Sequence, residues 1–386
     1  MNIRFDFEKS SLCFDQPVSI IRCSSFQDVP LAFKKIEDAL TRKFYVAGFF
    51  SYELGYAFEE TFSSYSLNGF PLIHVGCYEK PHPDKDLFAG DHHAGTVKNL
   101  RWNISRDKYF EHIDIIRSYL QAGDAYQITY CLKILFDFNG NAFDLYKRLF
   151  AVQPVPYAAC IETDQYSIVS LSPELFLYKK GDYIISKPMK GTWPRRGIWL
   201  ADTMARYTFR HDEKNRAENI MITDLLRNDL GRIGNNIRVE KLCEVTPYKT
   251  LFQMTSTVAA DIKQDVSLYR LFKSLFPSGS VTGAPKIRAM EIIHELEREP
   301  RNIYTGAIGY IKPDKDVFVN IPIRTALINK TNGKGEMGIG GGIVWDSTAE
   351  GEWAEGILKA RFFTDCFLGS EQKERSGSCG FRDIPG

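Results

Sequence analysis

The sequence predicts a mixed α/β chain of the α+β type, in which helices stand between groups of antiparallel strands. Short β-branched and aromatic runs bounded by Gly, Pro, Asn and Asp mark strands and turns. Segments with apolar residues every three or four positions mark helices. Neither a regular β-α-β rhythm nor a Gly-rich strand-to-helix turn is present, which argues against a doubly wound parallel sheet.

Taken in order, Ala47 to Tyr52 and Ile73 to Tyr78 read as buried strands, and residues 80–99, rich in Pro, His, Asp and Gly, as a loop. Tyr109, Ile113, Ile116 and Leu120 share a helix face within Ser105 to Leu120, which Gly123 would end. A long strand follows from Tyr126 to Phe136, then a helix from Ala142 to Val152 stopped by Pro154. Residues 158–162 and 167–172 form a hairpin around Asp164-Gln165. Tyr183 to Ile185 is a short strand, and Asp212 to Leu230 a helix ended by Gly231. Lys286 to Glu297 is a further helix. Tyr304 to Ile311 and Val319 to Ile328 read as two strands paired through Pro313 to Asp316. Ser347 and Glu350 form a capping-box pattern that opens a last helix. The tail after Gly369, rich in Ser, Gly and charge, reads as disordered. The expected organisation is an N-terminal part over 1–100, a catalytic region over 101–366 and a tail over 367–386.

A chain of 386 residues with 44% hydrophobic and 25% charged residues has material for a large core, and its net charge of +1 carries no basic stripe for nucleic acid. No apolar run is long enough for a bilayer, and the first residues lack a signal-peptide core, so the expected location is cytoplasmic. The eight cysteines show no metal-ligand or redox spacing, and His92-His93 lies in a polar stretch without companions that would complete a metal site.

Lys190, within Ser186-Lys187-Pro188-Met189-Lys190-Gly191-Thr192, stands at the expected end of a strand between a proline and a glycine. Restrained backbone on both sides suits a nucleophilic amine, and partial burial beside Lys187, Arg195 or Arg196 would lower its pKa. A lone lysine of this kind also fits a snorkelling surface residue. The loop Ser278 to Lys286 runs into a helix start whose free N–H groups suit an anion, carboxylate or phosphate, or are simply capped by Thr282 or Ser280. Arg324 interrupts an apolar strand and requires a planar anionic partner, from a substrate or from the protein. The glycines of Gly338 to Gly342 let a ligand or another backbone approach closely. Glu352, Glu355 and Lys359 share one helix face. If that face met Glu218, carboxylates from two helices could hold Mg²⁺ with open water positions.

These segments together resemble the chorismate-utilising enzymes. The resemblance runs from Gly48-Phe49-Phe50-Ser51-Tyr52-Glu53-Leu54-Gly55 to Phe363. It rests on Ser172-Pro173-Glu174, Pro188 to Thr192, Arg216-Ala217-Glu218-Asn219, Asp224 to Gly231, Thr282-Gly283-Ala284-Pro285-Lys286 and Gly340 to Val344. It implies one large domain of two packed antiparallel sheets with outer helices. It also implies Mg²⁺ on Glu218 and Glu355 with Glu352 nearby, and Lys359 close to these carboxylates. Tyr304, Arg324 and the backbone at Gly340 and Gly341 would hold the enolpyruvyl carboxylate, with Thr192, Thr282, Gly283 and Gln253 also along the substrate.

Within the family Lys190 matches the branch that forms 4-amino-4-deoxychorismate. The anthranilate-forming branch carries a small residue there, and isochorismate and salicylate synthases use a lysine well upstream. The implied chemistry is attack of Lys190 on C2 of chorismate, with Glu174 protonating the departing C4 hydroxyl, then ammonia addition at C4. The alternatives are anthranilate formation or a catalytically silent scaffold. Gln253 replaces the family histidine and cannot transfer protons, though it can hydrogen-bond the ring hydroxyl. Met189 replaces an isoleucine. No Leu-Leu-Glu-Ser segment of the kind that binds tryptophan is found, and no Cys-His-Glu constellation of a glutaminase, so ammonia is expected from a separate glutamine amidotransferase subunit or from solution.

Overall fold

The computed structural model describes residues 1–367 apart from 9, 84–86, 88–94, 196, 249–250 and 264; His92-His93 and residues 368–386 of the expected tail lie outside the described residues. Among those described, the strands pair antiparallel in two ten-stranded sheets.

The first sheet runs Gly283–Ala284, Gln127–Asn139, Lys334–Ile343, Thr325–Asn329, Tyr166–Ser172, Tyr157–Glu162, Asn2–Phe7, Ser10–Phe14 and His82–Pro83, with Thr96–Trp102 also on Gln127–Asn139. The second runs Met189–Pro194, Leu251–Ile262, Tyr183–Lys187, Leu175–Lys180, Val317–Asn320, Ala307–Ile311, Tyr45–Phe50, Ile73–Tyr78 and Ser19–Cys23, with Gly234–Pro247 on Leu251–Ile262. Strands from the first hundred residues enter both sheets.

Eight α-helices are described: α1 Val29–Thr41, α2 Arg106–Ala122, α3 Ala142–Val152, α4 Trp199–Arg210, α5 Glu213–Gly231, α6 Leu268–Leu275, α7 Lys286–Leu296 and α8 Ala349–Thr364. Local chemistry sets several ends. The Ser105 hydroxyl accepts from the Lys108 amide and Gly123 closes α2 at φ +81°. Asn141 caps α3 through the Phe143 amide, and Asp212 caps α5 through the Asn215 amide. The last helix departs from expectation: Thr348, not Ser347, is its cap, and the Ser347 hydroxyl is bonded to Glu352 at 2.7 Å. Buried Glu352 requires a donor, and Ser347 supplies it.

The layers follow from which faces are apolar. Aromatic residues of both sheets fill the space between them, with Phe5 against Tyr310 at 5.5 Å and Phe7 against Phe318 at 5.0 Å between ring centroids. The outer face of the second sheet packs on α1, α5 and α6, and that of the first on α2, α3, α7 and α8. This is the single mixed α/β unit of two packed sheets that the resemblance implies.

Two chain crossings between the sheets position the site. One lies between Ser172 and Leu175, and the other between Asn320 and Thr325. The second corrects the expected Val319 to Ile328 strand. It splits at Ile321-Pro322-Ile323-Arg324 because Pro322 has no N–H for a ladder and Arg324 takes φ +53°. Its first half pairs with Ala307–Ile311 as expected, whereas its second half joins the other sheet.

Candidate active site

A cavity of about 280 Å³ opens where these crossings meet α5, α8 and the edge strand Met189–Pro194. Glu174 comes from the first crossing and Arg324 from the second, so each side chain emerges from backbone that has left a sheet.

Lys190 lies inside a strand rather than at the end of one, at a register irregularity: Met189 opposes Thr255 and Thr192 opposes Gln253, leaving Lys190 and Gly191 as the bulge. A bulge re-aims a side chain, here into the cavity. Gly191 has φ +84°, and a Cβ there would fall 2.4 Å from Asn215 Oδ1, so any other residue would be strained. Burial pushes the Lys190 ammonium down, opposed by Glu218 and Glu174 and reinforced by Lys359. The cation that matters is therefore Lys359. Arg195 is bonded to Asp202 at 3.0 Å and to the Tyr248 carbonyl at 2.6 Å, and Arg196 lies outside the described residues.

Glu174 is 3% exposed and accepts from Ser280 Oγ at 2.7 Å and from the Met189 amide at 3.3 Å. Burial raises its pKa to about 7, against the lowering by these bonds and by Lys190. Its backbone is held by the Ser172 hydroxyl at 3.1 Å and by the Ile321 amide at 3.1 Å, which ties the two crossings together.

Glu218 of α5 and Glu352 and Glu355 of α8 line the same cavity. Glu218 comes from α5, where the next residue, fully buried Asn219, bonds Ser256 Oγ and the Met254 carbonyl and so fixes the helix on Leu251–Ile262. Glu352 and Glu355 come from α8. Burial raises Glu218 and Glu352, while Lys359, 2.7 Å from Glu355, holds Glu355 below its ordinary range. Lys359 also donates to the Gly340 carbonyl at 2.8 Å. Among the described residues no three His, Cys, Asp or Glu side chains form a closed ligand set. The three glutamates nonetheless supply hard oxygen donors, and two of them carry the raised pKa that a neighbouring cation would reverse.

On the opposite wall, Tyr304 fills the space left by the glycine strand. A Cβ on Gly338 would fall 2.3 Å from its ring, and one on Gly340 2.9 Å from its hydroxyl. Gly341 faces the Glu352 carboxylate, with Oε2 at 2.8 Å from a notional Cβ. Burial lowers Arg324 to about 10, and its Nη1 is buried without a hydrogen-bond partner among the described residues. Gln253 Oε1 is in the same condition, and Thr192, its neighbour across the ladder, also lines the cavity. A buried guanidinium nitrogen and a buried carbonyl oxygen without partners leave one place for an anion and one for a hydroxyl donor.

Thr282, Gly283 and Gly341 are not among the lining residues. Thr282 is fully buried with its hydroxyl on the Ser278 carbonyl at 3.1 Å, and Gly283 pairs with Ile128 in the first sheet. At the start of α7 the N-cap position is Pro285 and no side chain, Thr282 and Ser280 included, caps the helix; Lys286 reaches back to Asp229 of α5 at 2.7 Å. Sequence reasoning missed Ser280 as a partner of Glu174, and Thr129, Lys214 and Asn215 as lining residues. Lys214 and Asn215 precede Glu218 by four and three positions, so helical spacing alone places them on its face. Thr129 carries no such signal.

A buried amine, a raised carboxyl, an arginine nitrogen without a partner among the described residues and three glutamates lining one cavity make this the candidate active site of a mixed α/β fold. Residues 14–365 match the family of chorismate binding enzymes, and the chain belongs to that family. It is similar to aminodeoxychorismate synthase component 1 of Klebsiella aerogenes, 37% identical over 66% of this chain and 56% of that protein. It is also similar to anthranilate synthase component 1 of Aquifex aeolicus, 34% identical over 68% of this chain and 53% of that protein. The chain thus spans about half the length of the curated relatives it matches. Anthranilate synthase component I of Streptococcus pneumoniae shares the fold, with a TM-score of 0.75, 24% identity and coverage of 93% of this chain and 89% of that one. Among the described residues no helix is long and apolar enough to cross a membrane.

Proposed function

We propose that this chain aminates chorismate to 4-amino-4-deoxychorismate, with Lys190 as a transient covalent nucleophile and ammonia as the second. The observation that carries the reading is that Lys190, lowered by burial, and Glu174, raised to about 7 and bonded to the amide of neighbouring Met189, line one cavity. The similarity to aminodeoxychorismate synthase component 1 supports it.

In this reading Arg324 and Tyr304 receive the enolpyruvyl carboxylate. Gln253 Oε1 accepts a hydrogen bond from the ring hydroxyl. Lys190 Nζ, as the neutral amine, bonds to C2 while the C4–O bond breaks, and Glu174 gives its proton so that the hydroxyl leaves as water. Ammonia then bonds to C4, the C2–N bond breaks, lysine leaves as the amine, and Glu174 recovers a proton from the incoming nitrogen. Glu218 and Glu355, with Glu352 beside them, would hold Mg²⁺, which when bound offsets the ring carboxylate's charge and orients the ring. Ammonia comes from a glutamine amidotransferase subunit, a folate-pathway arrangement in which para-aminobenzoate is the later product.

Incubation with chorismate, Mg²⁺ and ammonium followed by product separation tests the reading. Aminodeoxychorismate is the expected product. Anthranilate alone would assign the chain to the other branch, and no consumption of chorismate would leave a silent scaffold.

A further inference from the structure

Behind the cavity floor lies a charge that the chemistry above does not use. Arg301 is 2% exposed, and its guanidinium makes five hydrogen bonds. Nε and Nη2 grip both carboxylate oxygens of Glu297 at 2.8 and 2.7 Å. Nη2 also donates to the Thr129 carbonyl at 2.7 Å, and Nη1 to the Val281 carbonyl at 2.8 Å and, more weakly, to Thr305 Oγ1 at 3.4 Å. Glu297 in turn accepts from the Cys131 amide at 2.8 Å.

The carbonyls that Arg301 holds belong to the site. Thr129 and Val281 line the cavity, and Val281 follows Ser280, the donor to Glu174. The Arg301 carbonyl accepts from the amide of Tyr304, a third lining residue, at 3.0 Å. Arg301 itself is clamped from the N-terminal part of the chain. Its amide donates to Glu53 at 2.7 Å, and its guanidinium lies 4.6 Å from the Tyr52 ring centroid. A planar fork with five donors can grip a carboxylate through two nitrogens and bind backbone carbonyls of two separate segments at once; an ammonium, with three donors on one nitrogen, cannot make all five bonds.

We propose that the Arg301–Glu297 pair is a positioning device for catalysis, fixing the Thr129, Val281–Ser280 and Tyr304 segments relative to one another so that Glu174 and the substrate meet in register. It acts through these residues and does not touch the reacting atoms. The inference rests on this cavity being the catalytic one, and its readout is chorismate consumption, so it stands whichever aminated product the wild-type protein makes.

The pair is also a buried ion pair, and removing one partner alone would leave an uncompensated charge. The test therefore replaces both, as Arg301→Met/Glu297→Met, alongside the charge-conserving Arg301→Lys. Replacing a buried pair by apolar side chains of similar volume usually preserves folding. The expected result is a folded double variant by circular dichroism whose kcat, per folded molecule, falls about 100-fold, the scale of a misplacement of roughly 1 Å, with a smaller change in KM. Arg301→Lys should show the same split, since charge without the fork does not restore the carbonyl contacts. Wild-type kcat in either folded variant overturns the proposal and leaves the pair a stabilising element only. If the double variant does not fold, Arg301→Lys decides by the same criterion. If neither variant folds, the pair is required for folding and the proposal of a separable positioning role is rejected.

Discussion

Ser280 donates a 2.7 Å hydrogen bond to Glu174, joining the loop before α7 to the crossing between the sheets. That bond lowers the carboxyl's pKa, against the burial that raises it to about 7. A general acid works only while protonated, so activity should fall as pH rises through that region. Ser280→Ala removes a lowering influence, and the alkaline limb of the kcat profile should move to higher pH. A limb that stays in place or moves down would disconnect Glu174 from the profile.

The same carboxyl makes stability depend on pH. Its folded pKa of about 7 lies above the ordinary 4.5. Its contribution is complete below about 4.5 and is lost as pH rises through 7, by roughly 3 kcal/mol at most for a shift of this size. Glu174→Gln carries no charge to desolvate and should gain on wild type in denaturant midpoint between pH 4.5 and 8 while losing turnover. Parallel stability profiles for the two proteins would show that Glu174 is not desolvated in solution.

With chorismate and Mg²⁺ but without ammonia, an adduct on Lys190 should accumulate, because the second displacement has no nucleophile. Rapid quench, intact mass and peptide mapping locate it. Lys190→Arg should form none, since a guanidinium stays protonated. An adduct on another lysine would reject the assignment.

Glu218→Gln and Glu355→Gln each remove a charged oxygen donor without a large change in volume. Both should abolish turnover at ordinary Mg²⁺ and weaken Mn²⁺ binding measured by electron paramagnetic resonance in the absence of substrate. Unchanged Mn²⁺ affinity in either variant would remove that residue from the metal site.

Gly191→Ala tests the bulge. At φ +84° and with Asn215 Oδ1 2.4 Å from the new Cβ, the substitution should cost roughly 1–3 kcal/mol in denaturation and re-aim Lys190, lowering kcat. Full activity would mean that the bulge does not set the lysine's direction.

Lys286→Met should act on stability alone. It strips the 2.7 Å partner from Asp229, whose side chain is 3% exposed, and a loss of about 3–5 kcal/mol is expected for a buried carboxylate left unpaired. Residual folded protein should retain its KM for chorismate. A large rise in KM without loss of stability would instead place Lys286 in substrate binding.

Much of the local structure was legible in the sequence because its causes are local. Ala142–Val152 and Ile73–Tyr78 fall at the expected bounds, and Ser105 and Gly123 bracket α2 through hydrogen bonds and a left-handed φ that neighbouring residues alone determine. Helical spacing also placed Glu352, Glu355 and Lys359 on one face, and Pro188 and Gly191 marked Lys190. What tertiary structure decided was the meeting of distant segments. Whether Glu218 and Glu355 line one cavity, whether the run from Val319 to Ile328 stays in one sheet, and whether Ser347 caps a helix or serves Glu352 depend on pairing across many residues. The electrostatics were decided there too. A lysine, a glutamate and an arginine shift by desolvation only when the whole fold excludes water around them, and Arg301 acquires its role from two carbonyls, Thr129 and Val281, brought together from segments more than 150 residues apart.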